Sequence, residues 1–376
     1  MQPSIPHFIW KIPKLQGNLP QPRHGHSAIL YQNSMIIFGG EDNNNGATLN
    51  DVHVLDLVSW TWIQPQICGQ IPENRSFHTA VLFQNQMLVW GGYKKAKDGG
   101  YIFSDVDVHL LDLKNWEWIQ ITPDGIAPDA RSHHSAVLFQ DKLFIDGGSY
   151  DIYTARNDLH LLDITKMCWI NLQVHNCFNS SLAGLKVRGN TLVKFLGDAA
   201  YGGFCRDILT FDLGDFKYID LKELQWQPAK VQGIYHYKYP IYSPNGEEEE
   251  IEDDDYEDEF DDDENVIPCR TIHGYGEFGD NLVLFAGMSP GYGVSHMTIG
   301  DLILLNMPAV EAANSRTYQA IIPEVAGKFP LPRFGHSTIQ FNQQMIVYGG
   351  LWIDTYAGNN SYDNAVYVLE ILEDRQ

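Results

Sequence analysis

The hydrophobic positions of this chain fall in short runs that recur in pairs. The stretch "SAILYQNSMIIFGG" (27–40) holds two apolar runs separated by a polar pair, and the outline returns at 79–92 and 135–148. Short runs rich in β-branched and aromatic residues and bounded by glycine indicate strands rather than helices. Each pair therefore predicts a β-hairpin. The turn positions hold polar residues, mostly of types that tolerate tight turns: Asn33, Asn85, Asp141, Asn190, Asp280 and Gln343.

The spacing within each hairpin unit is fixed. An arginine stands three residues before a histidine in five places, and a glycine always follows that histidine by fourteen residues. In a sixth copy Ser180, Ala183 and Gly197 keep the spacing without the first two residue types. A unit that accepts substitutions but no insertions has a strand register that matters. The five complete copies are Arg23/His26/Gly40, Arg75/His78/Gly92, Arg131/His134/Gly148, Arg270/His273/Gly287 and Arg333/His336/Gly350.

Two further apolar runs follow each hairpin. The third run resembles "NDVHVLDL" (50–57), and the fourth carries an aromatic residue six positions past the aspartate. The sixth copy ends after its third run, and residues 7–13, with Trp10, supply the missing fourth strand. Four short antiparallel strands repeated six times predict an all-β, six-bladed propeller that the N-terminal strand closes. The predicted fourth-strand aromatics are Trp62, Trp118, Trp169, Tyr218 and Tyr318.

These features resemble Kelch repeats: a glycine pair that ends the second strand, an R-x-x-H-S start, an aspartate in the third strand and a tryptophan in the fourth. The resemblance covers about residues 7–220 and 266–374, although the fourth copy lacks both the arginine and the glycine pair. A WD40 propeller fits poorly, because its blades end in Trp-Asp and lack the glycine pair. The implied single domain has a closing strand at 7–13, blades at 22–65, 74–121, 130–173, 178–221, 269–323 and 332–374, and an insertion at 222–268.

One segment dominates the charge. The formal net charge is −23, but residues 247–264 hold 15 of the 48 acidic groups and no basic one. Such a run cannot bury enough apolar surface to fold, so we predict a disordered loop. Three roles are compatible with this acidic run: it increases solubility, it recruits a basic partner, or it competes with ligands for the propeller mouth. The remaining chain is only mildly acidic, which argues against nucleic-acid binding.

Other sequence features narrow the protein class. Five cysteines without C-x-x-C spacing argue against a disulfide framework and a zinc site. No apolar stretch approaches the roughly 18–20 residues that span a bilayer, and the first residues lack a basic start followed by an apolar run. We expect a monomer of the cytoplasm or nucleus without membrane contact.

The repeated arginines are the first candidate site residues. First strands line the channel of a propeller, so these positions ring one mouth. In Kelch propellers that capture acidic peptides or chain-terminal carboxylates, arginines at this repeat position often reach the ligand, and guanidinium groups pair with carboxylates in a bidentate manner. The alternative is that they are held in ion pairs between blades. The resemblance implies the ligand role for some of Arg23, Arg75, Arg131, Arg270 and Arg333.

Aromatic residues near the same mouth are the second candidate set. Residues that follow the glycine pair lie on loops that approach the mouth, and aromatic side chains between arginines are typical of binding hot spots. These candidates are Tyr93, Tyr150, Phe334 and Trp352.

Two other sets of polar residues need an explanation. The histidines of the R-x-x-H units recur in most copies, so we predict that they form structural hydrogen bonds to neighbouring blades or turns. Asp146 replaces the aromatic residue found at its position in the other copies. A carboxylate at a core position must find partners or shift its pKa. We expect Asp146 to be solvated at a loosely packed blade edge, and a catalytic or metal role is the alternative.

The sequence favours a protein-interaction module over an enzyme. It contains no P-loop, G-x-S-x-G, H-E-x-x-H or Rossmann fingerprint, so we expect no cofactor and no metal. The expected ligand is a peptide or protein, acidic at the mouth or basic at the acidic run, bound by a substrate-recognition or scaffold subunit. The alternatives are a propeller enzyme, metal-dependent or sugar-modifying, and an actin-binding protein.

Overall fold

The computed structural model is an all-strand ring of six blades. Its described residues contain strands, bridges and turns and no helix. The described residues are 6–151, 154–172, 174–175, 181–199, 203–204, 208–213, 224–232, 241–242, 248–249, 273–291, 294–307, 317–354 and 359–372.

Each blade is an antiparallel sheet of four strands in chain order, as the repeated apolar runs predict. The first strands of successive blades contact one another around the axis. The strands of blade 1 are Ser27–Tyr31, Ser34–Asp42, Thr48–Asp56 and Thr61–Ile63. Those of blade 2 are Thr79–Phe83, Gln86–Trp90, Val108–Asp112 and Glu117–Ile121. Those of blade 3 are Ser135–Phe139, Lys142–Asp146, Leu159–Asp163 and Cys168–Asn171.

The second half of the ring includes the closure. Phe8 pairs with Ile371 and Trp10 with Leu369 in antiparallel register, so the N-terminal strand is the fourth strand of blade 6, as predicted. The strands of blade 4 are Gly184–Arg188, Thr191–Phe195, Ile208–Asp212 and Gln227–Gln232. Those of blade 5 are Gly274–Phe278, Asn281–Gly291, Val294–Asn306 and Thr317–Ile321. Those of blade 6 are Ser337–Phe341, Gln344–Tyr348, Val366–Ile371 and Phe8–Lys11.

The fourth strands of blades 4 and 5 differ from the prediction. Thr210 pairs with Gln227, which places buried Trp226, rather than Tyr218, in the position of the tryptophan. In blade 5 the pairing of Leu305 with Ala320 gives that position to Ala320 instead of Tyr318. Extra residues lie between the third and fourth strands of these blades, so counting six positions from the third-strand aspartate does not locate the fourth strand. The boundary of blade 4 at residue 221 is therefore wrong, because its fourth strand ends at Gln232; Tyr218 itself lies outside the described residues.

Aromatic contacts join successive blades. The ring of Phe38, on the second strand of blade 1, lies 5.2 Å from His78 and 5.0 Å from Trp118 of blade 2. Trp90 contacts His134 and Trp169 in the same way, at 4.9 and 5.5 Å. Edge-on and tilted ring pairs at these distances add to the energy of area burial. Equivalent triads link Phe285 to His336 and Trp10, and Tyr348 to His26 and Trp62.

A short parallel segment covers the outer edge of every blade. The segment Gln16–Gly17, which precedes blade 1, pairs with its fourth strand, and equivalent pairings recur at all six blades. An uncovered edge strand presents unpaired backbone groups that invite aggregation. The linker between blades therefore protects the sheet edge as well as connecting the sheets.

The glycine pair is required by both backbone conformation and space. Gly91 has a φ of 69°, and a Cβ atom there would lie 2.7 Å from Cε1 of His134 and 2.8 Å from the carbonyl oxygen of Arg131. The amide of the second glycine, Gly92, donates to the same carbonyl at 2.9 Å. The amides of Gly40, Gly287 and Gly350 make the same bond to the first segment of the next blade. Blade 5 has Ala286, with a φ of 57°, at the first glycine position.

We expect Gly91→Ala to lower the free energy of unfolding by about 2–4 kcal/mol, since it combines left-handed strain with a steric clash. The reciprocal change at the equivalent position, Ala286→Gly, is expected to be neutral or to stabilise by up to about 1 kcal/mol, because it removes the strain of a left-handed alanine. Urea unfolding of both variants checks this pair. Equal destabilisation by the two changes would contradict it.

Candidate functional site at the channel mouth

A belt of backbone hydrogen bonds runs along the channel from blade 6 through blades 1, 2 and 3 to blade 4, at the start of the first strands. The amide of Gly25 donates to the carbonyl of Gly335, Phe77 donates to Gly25, His133 to Phe77 and Leu182 to His133, at 2.7–3.1 Å. All five residues have a left-handed φ between 51° and 64°. We call Gly335, Gly25, Phe77, His133 and Leu182 the axial belt. It links consecutive blades, and the left-handed residues Phe77 and His133 are held by bonds to both neighbours.

Side chains on and beside the belt form a continuous row of rings. Where the belt residue is glycine, the preceding residue is aromatic, as at His24 and Phe334; where the belt residue is Phe77 or His133, the preceding residue is serine. The ring centroids of Phe334 and His24 are 5.9 Å apart, those of His24 and Phe77 6.0 Å, and those of Phe77 and His133 4.2 Å in a stacked pair. Tyr93 stacks beside Phe77 at 5.9 Å. We call these five residues the mouth arc.

A buried carboxylate anchors one edge of the mouth arc. Glu41 is only 2% exposed; its carboxylate accepts a hydrogen bond from Oη of Tyr93 at 2.7 Å and forms an ion pair with Nζ of Lys95 at 2.5 Å. Burial raises the pKa of the Tyr93 hydroxyl well above its usual value, and the neighbouring Glu41 charge adds to the effect. Burial also lowers the pKa of His24, whose Nδ1 lies 2.6 Å from Oδ1 of Asn43. At neutral pH this edge therefore presents an uncharged imidazole and phenol.

A hairpin from blade 2 extends above the mouth arc. Its strands are Tyr93–Lys95 and Tyr101–Phe103. Tyr101 packs edge-on against Tyr93 at 4.8 Å but stays 41% exposed, and Ile102 is 48% exposed. The hairpin thus offers apolar surface next to the partly buried rings of Phe77 and His133.

The arginines occupy a different position from the one predicted. Arg23, Arg75, Arg131 and Arg333 are at most 4% exposed. Each donates through Nη1 to the carbonyl oxygen of the first glycine of its own blade's pair, at 2.9–3.1 Å. The prediction that these four line the opening is corrected, because their charged groups lie within the blade wall. Arg270 lies outside the described residues, so its part of the prediction stays open.

Three of these arginines pair with a carboxylate from the same blade. Arg23 forms a bidentate pair with Asp51 at 2.6 and 2.9 Å, and Arg131 does so with Asp158 at 2.5 and 2.9 Å. Arg333 contacts Asp363 at 3.1 Å. These pairs lie within blades rather than between them. Burial by itself would raise the pKa of Asp51 and Asp158, but hydrogen bonds from the arginine and from the third-strand histidine hold it well below the usual range.

The carboxylates are the more exposed members of these pairs. The side chains of Asp51, Asp158 and Asp363 are 28%, 33% and 28% exposed, whereas their arginines are nearly inaccessible. Sequence reasoning did not include these aspartates. A signal was present in two blades, where an aspartate stands two residues before the third-strand His53 or His160 and accepts a hydrogen bond from it.

The predicted aromatic candidates separate into two groups. Tyr93 and Phe334 belong to the mouth arc. Tyr150 is 42% exposed beneath the guanidinium group of Arg156, whose carbon lies 4.4 Å from the ring centroid. Trp352 starts the strand Trp352–Asp354 of a hairpin in blade 6. The structure brings Tyr93 and Phe334 into one row with His24, Phe77 and His133, which sequence reasoning left out of the site.

The repeated histidines have the structural contacts that the sequence predicts in two blades. Nε2 of His26 lies 2.8 Å from Oγ of Ser337 in blade 6, and Nε2 of His78 lies 2.8 Å from Oγ of Ser27 in blade 1. Each bond ties a first strand to that of the preceding blade.

Asp146 is buried rather than solvated, which corrects the expectation from the sequence. Its carboxylate pairs at 2.7 Å with Nζ of Lys194 from blade 4, and both side chains are fully inaccessible. The partner explains how a carboxylate is accommodated where other blades have an aromatic ring, since a paired buried charge avoids most of the cost of isolation.

The described part of the chain contains neither a metal-binding cluster nor a membrane-spanning helix. No three His, Cys, Asp or Glu side chains there converge to hold a metal ion. No described segment forms a helix of the length and apolarity needed to cross a membrane. The acidic run 247–264 falls outside the described residues except for Glu248–Glu249, so the predictions about it stay open.

Comparison with known proteins agrees with this architecture. The model of the KLHDC2/KLHL20/DRC7 Kelch-repeats domain matches residues 4–187 and 99–238. The chain belongs to the Kelch-repeat family. This membership supports a role of the Kelch propeller in protein interaction.

Curated relatives and a solved structure extend the similarity. The chain is 32% identical to acyl-CoA-binding domain-containing protein 4 of Arabidopsis thaliana over 377 residues, 96% of this chain and 47% of that protein. It is 30% identical to human Kelch domain-containing protein 1 over 254 residues, 60% of this chain and 58% of that protein. The chain thus spans about half the length of these relatives. The structure titled "Structure of YjhT" matches with a TM-score of 0.64 at 15% identity, covering 95% of this chain and 97% of that one, which shows the shared fold alone.

Proposed function

We propose that this Kelch propeller binds a peptide or protein segment at the channel mouth and acts as a recognition or scaffold subunit. The observation that carries the proposal is the mouth arc, a row of rings from blades 6, 1, 2 and 3 beside the apolar hairpin residues Tyr101 and Ile102. Clustered aromatic side chains on a rigid scaffold dominate the energy of many protein interfaces. The belt beneath holds the rings in place, so ligand binding costs little ordering.

The charges around the mouth support a ligand with basic flanks. The buried arginines cannot reach a ligand without leaving their contacts, whereas the carboxylates of Asp51, Asp158 and Asp363 are accessible. Lys95, an accessible cation at the edge of the mouth arc, is already paired with Glu41. Exposed charges steer association and reject partners of like sign. An apolar or aromatic anchor between lysine or arginine residues therefore suits this surface better than the acidic peptide expected from the sequence.

A randomised peptide library selected on the purified protein tests the proposal. We expect enriched peptides to share an apolar anchor with basic neighbours. Their affinity is expected to fall at least about tenfold in Phe77→Asn/His133→Asn, because the arc loses its central rings while asparagine still tolerates the left-handed backbone. The control is Val58→Asn, a 69% exposed position in the turn at the opposite end of the blades.

Two outcomes would count against the mouth as the site. Enriched peptides that bind the double variant as tightly as the wild type would place recognition elsewhere. Enrichment of acidic peptides would overturn the charge argument. The enzyme and actin-binding alternatives have no specific contact among the described residues in their favour.

A further inference from the structure

A lysine of the blade-2 hairpin is paired with the buried carboxylate at the edge of the mouth arc. Nζ of Lys95 lies 2.5 Å from Oε2 of Glu41, and the side chain of Lys95 is 39% exposed, whereas that of Glu41 is 3% exposed. The ammonium group therefore reaches the carboxylate from the solvent side. Among the described residues, the one other basic group within 4.0 Å of this carboxylate is the imidazole of His24, and burial keeps it neutral by lowering its pKa.

The blade architecture does not require a carboxylate at this position. The residue that follows the second position of the glycine pair differs in every copy: Glu41, Tyr93, Ser149, Asp198, Met288 and Leu351. The contacts that build the blades recur instead, as the hydrogen bond from the repeated arginine to the first glycine does in four of them. A buried carboxylate loses hydration free energy, which only a nearby cation and hydrogen bonds offset. Glu41 is therefore a local feature of the mouth rather than part of the repeated scaffold.

The position of the hairpin does not depend on the ammonium group of Lys95. The backbone of Tyr93 exchanges two hydrogen bonds with that of Ser76, at 2.8 and 3.0 Å. The amide of Lys95 donates to Oγ1 of Thr48 at 3.0 Å, and the hydroxyl of Tyr93 donates to Glu41 at 2.7 Å. The Lys95 side chain can therefore leave the carboxylate while the hairpin stays in place. A ligand cation that replaces it keeps Glu41 paired, and the released lysine regains hydration and conformational freedom.

We propose that Glu41 is the specificity-determining carboxylate of the mouth and takes the ammonium group of a ligand lysine in place of Lys95. Lys95 is then an internal competitor, tethered at an effective concentration on the order of millimolar. An acidic or wholly apolar segment cannot make this exchange without leaving Glu41 buried and unpaired. The inference rests on the proposed peptide-binding function and adds to it the place of one basic ligand residue, beside the ring of Tyr93.

Removing the competitor tests the proposal with peptides. Peptides selected from the randomised library on the wild-type protein, and synthesised with acetylated N-termini, are expected to bind Lys95→Ala at least about tenfold more tightly. Lys94→Ala is the matched control, because Lys94 on the same hairpin pairs at 2.6 Å with the exposed Glu73 and its removal changes the net charge equally. It should bind these peptides within about twofold of the wild type. In Glu41→Gln/Lys95→Ala the gain should disappear, since the amide oxygen still accepts from Tyr93 but carries no charge.

Butylammonium, a mimic of the lysine side chain, tests the site without a peptide. When it replaces sodium at constant ionic strength, we expect the melting temperature of Lys95→Ala to rise by about 1 °C more than that of the wild type, Lys94→Ala or Glu41→Gln/Lys95→Ala. Equal responses of the four proteins would overturn the proposal. Peptide affinity that is unchanged in Lys95→Ala, or raised as much in Lys94→Ala, would also overturn it. If no library peptide binds the wild type, the proposed function fails, and butylammonium still decides whether Glu41 is a cation site.

Discussion

Lowering the pH from 7 to 5.5 is expected to reduce the free energy of unfolding by roughly 5 kcal/mol, well before the carboxylates titrate. Burial lowers the pKa of His26 and His134 to about 3 and that of His78 and His336 well below 6.5. The unfolded chain takes up protons below pH 6.5 while the folded ring stays neutral, so stability falls with pH. Each histidine contributes up to about 1.4 kcal/mol per pH unit between 6.5 and its folded pKa.

Chemical unfolding at pH 7, 6 and 5.5 measures this effect. The variant His134→Phe should show a shallower dependence by the equivalent of one proton in that window. A loss of stability confined to pH values below 4 would assign acid sensitivity to Asp51 and Asp158 instead. Their lowered pKa means that their contribution is lost only in strongly acid solution.

Lys194→Met is expected to destabilise the protein by about 3–5 kcal/mol. The change leaves the carboxylate of Asp146 without the ammonium group 2.7 Å away, in a place where neither side chain reaches solvent. When one partner of a buried ion pair is removed, no attraction offsets the desolvation free energy of the remaining charge. Thermal or urea unfolding measures the loss.

The double variant Asp146→Phe/Lys194→Val is the matched test. It restores the residue types of the other blades, where an aromatic ring such as Phe38 packs on the next blade. The new ring would meet a smaller side chain there, because blade 4 has Ala183 in place of the repeated histidine. We expect it to be at least as stable as the wild type, since apolar replacement of a buried ion pair is often neutral or favourable. A double variant as unstable as Lys194→Met would refute this explanation.

Only part of the mouth arc can be identified from residue patterns. Tyr93 and Phe334 were identifiable from their positions around the glycine pair and the first strand. His24, Phe77 and His133 were not, because they alternate between two adjacent sequence positions according to where the belt has glycine. Only the inter-blade backbone bonds of the axial belt show that both positions contribute to one row of rings.

The number of blades, the register of the first two strands and the closure by residues 7–13 follow from the residue pattern, because paired strands tolerate no change of spacing. The direction of the arginine side chains depends on contacts that form only in the folded ring. A guanidinium group is directed by a glycine carbonyl 16 residues away and, in three blades, by a carboxylate 27, 28 or 30 residues away. The folded ring also places Trp226 and Ala320 in the fourth-strand position that tryptophan occupies in other blades. Insertions before those strands change the number of residues between the third-strand aspartate and the fourth-strand position. Only the hydrogen-bond register then identifies the residue at that position.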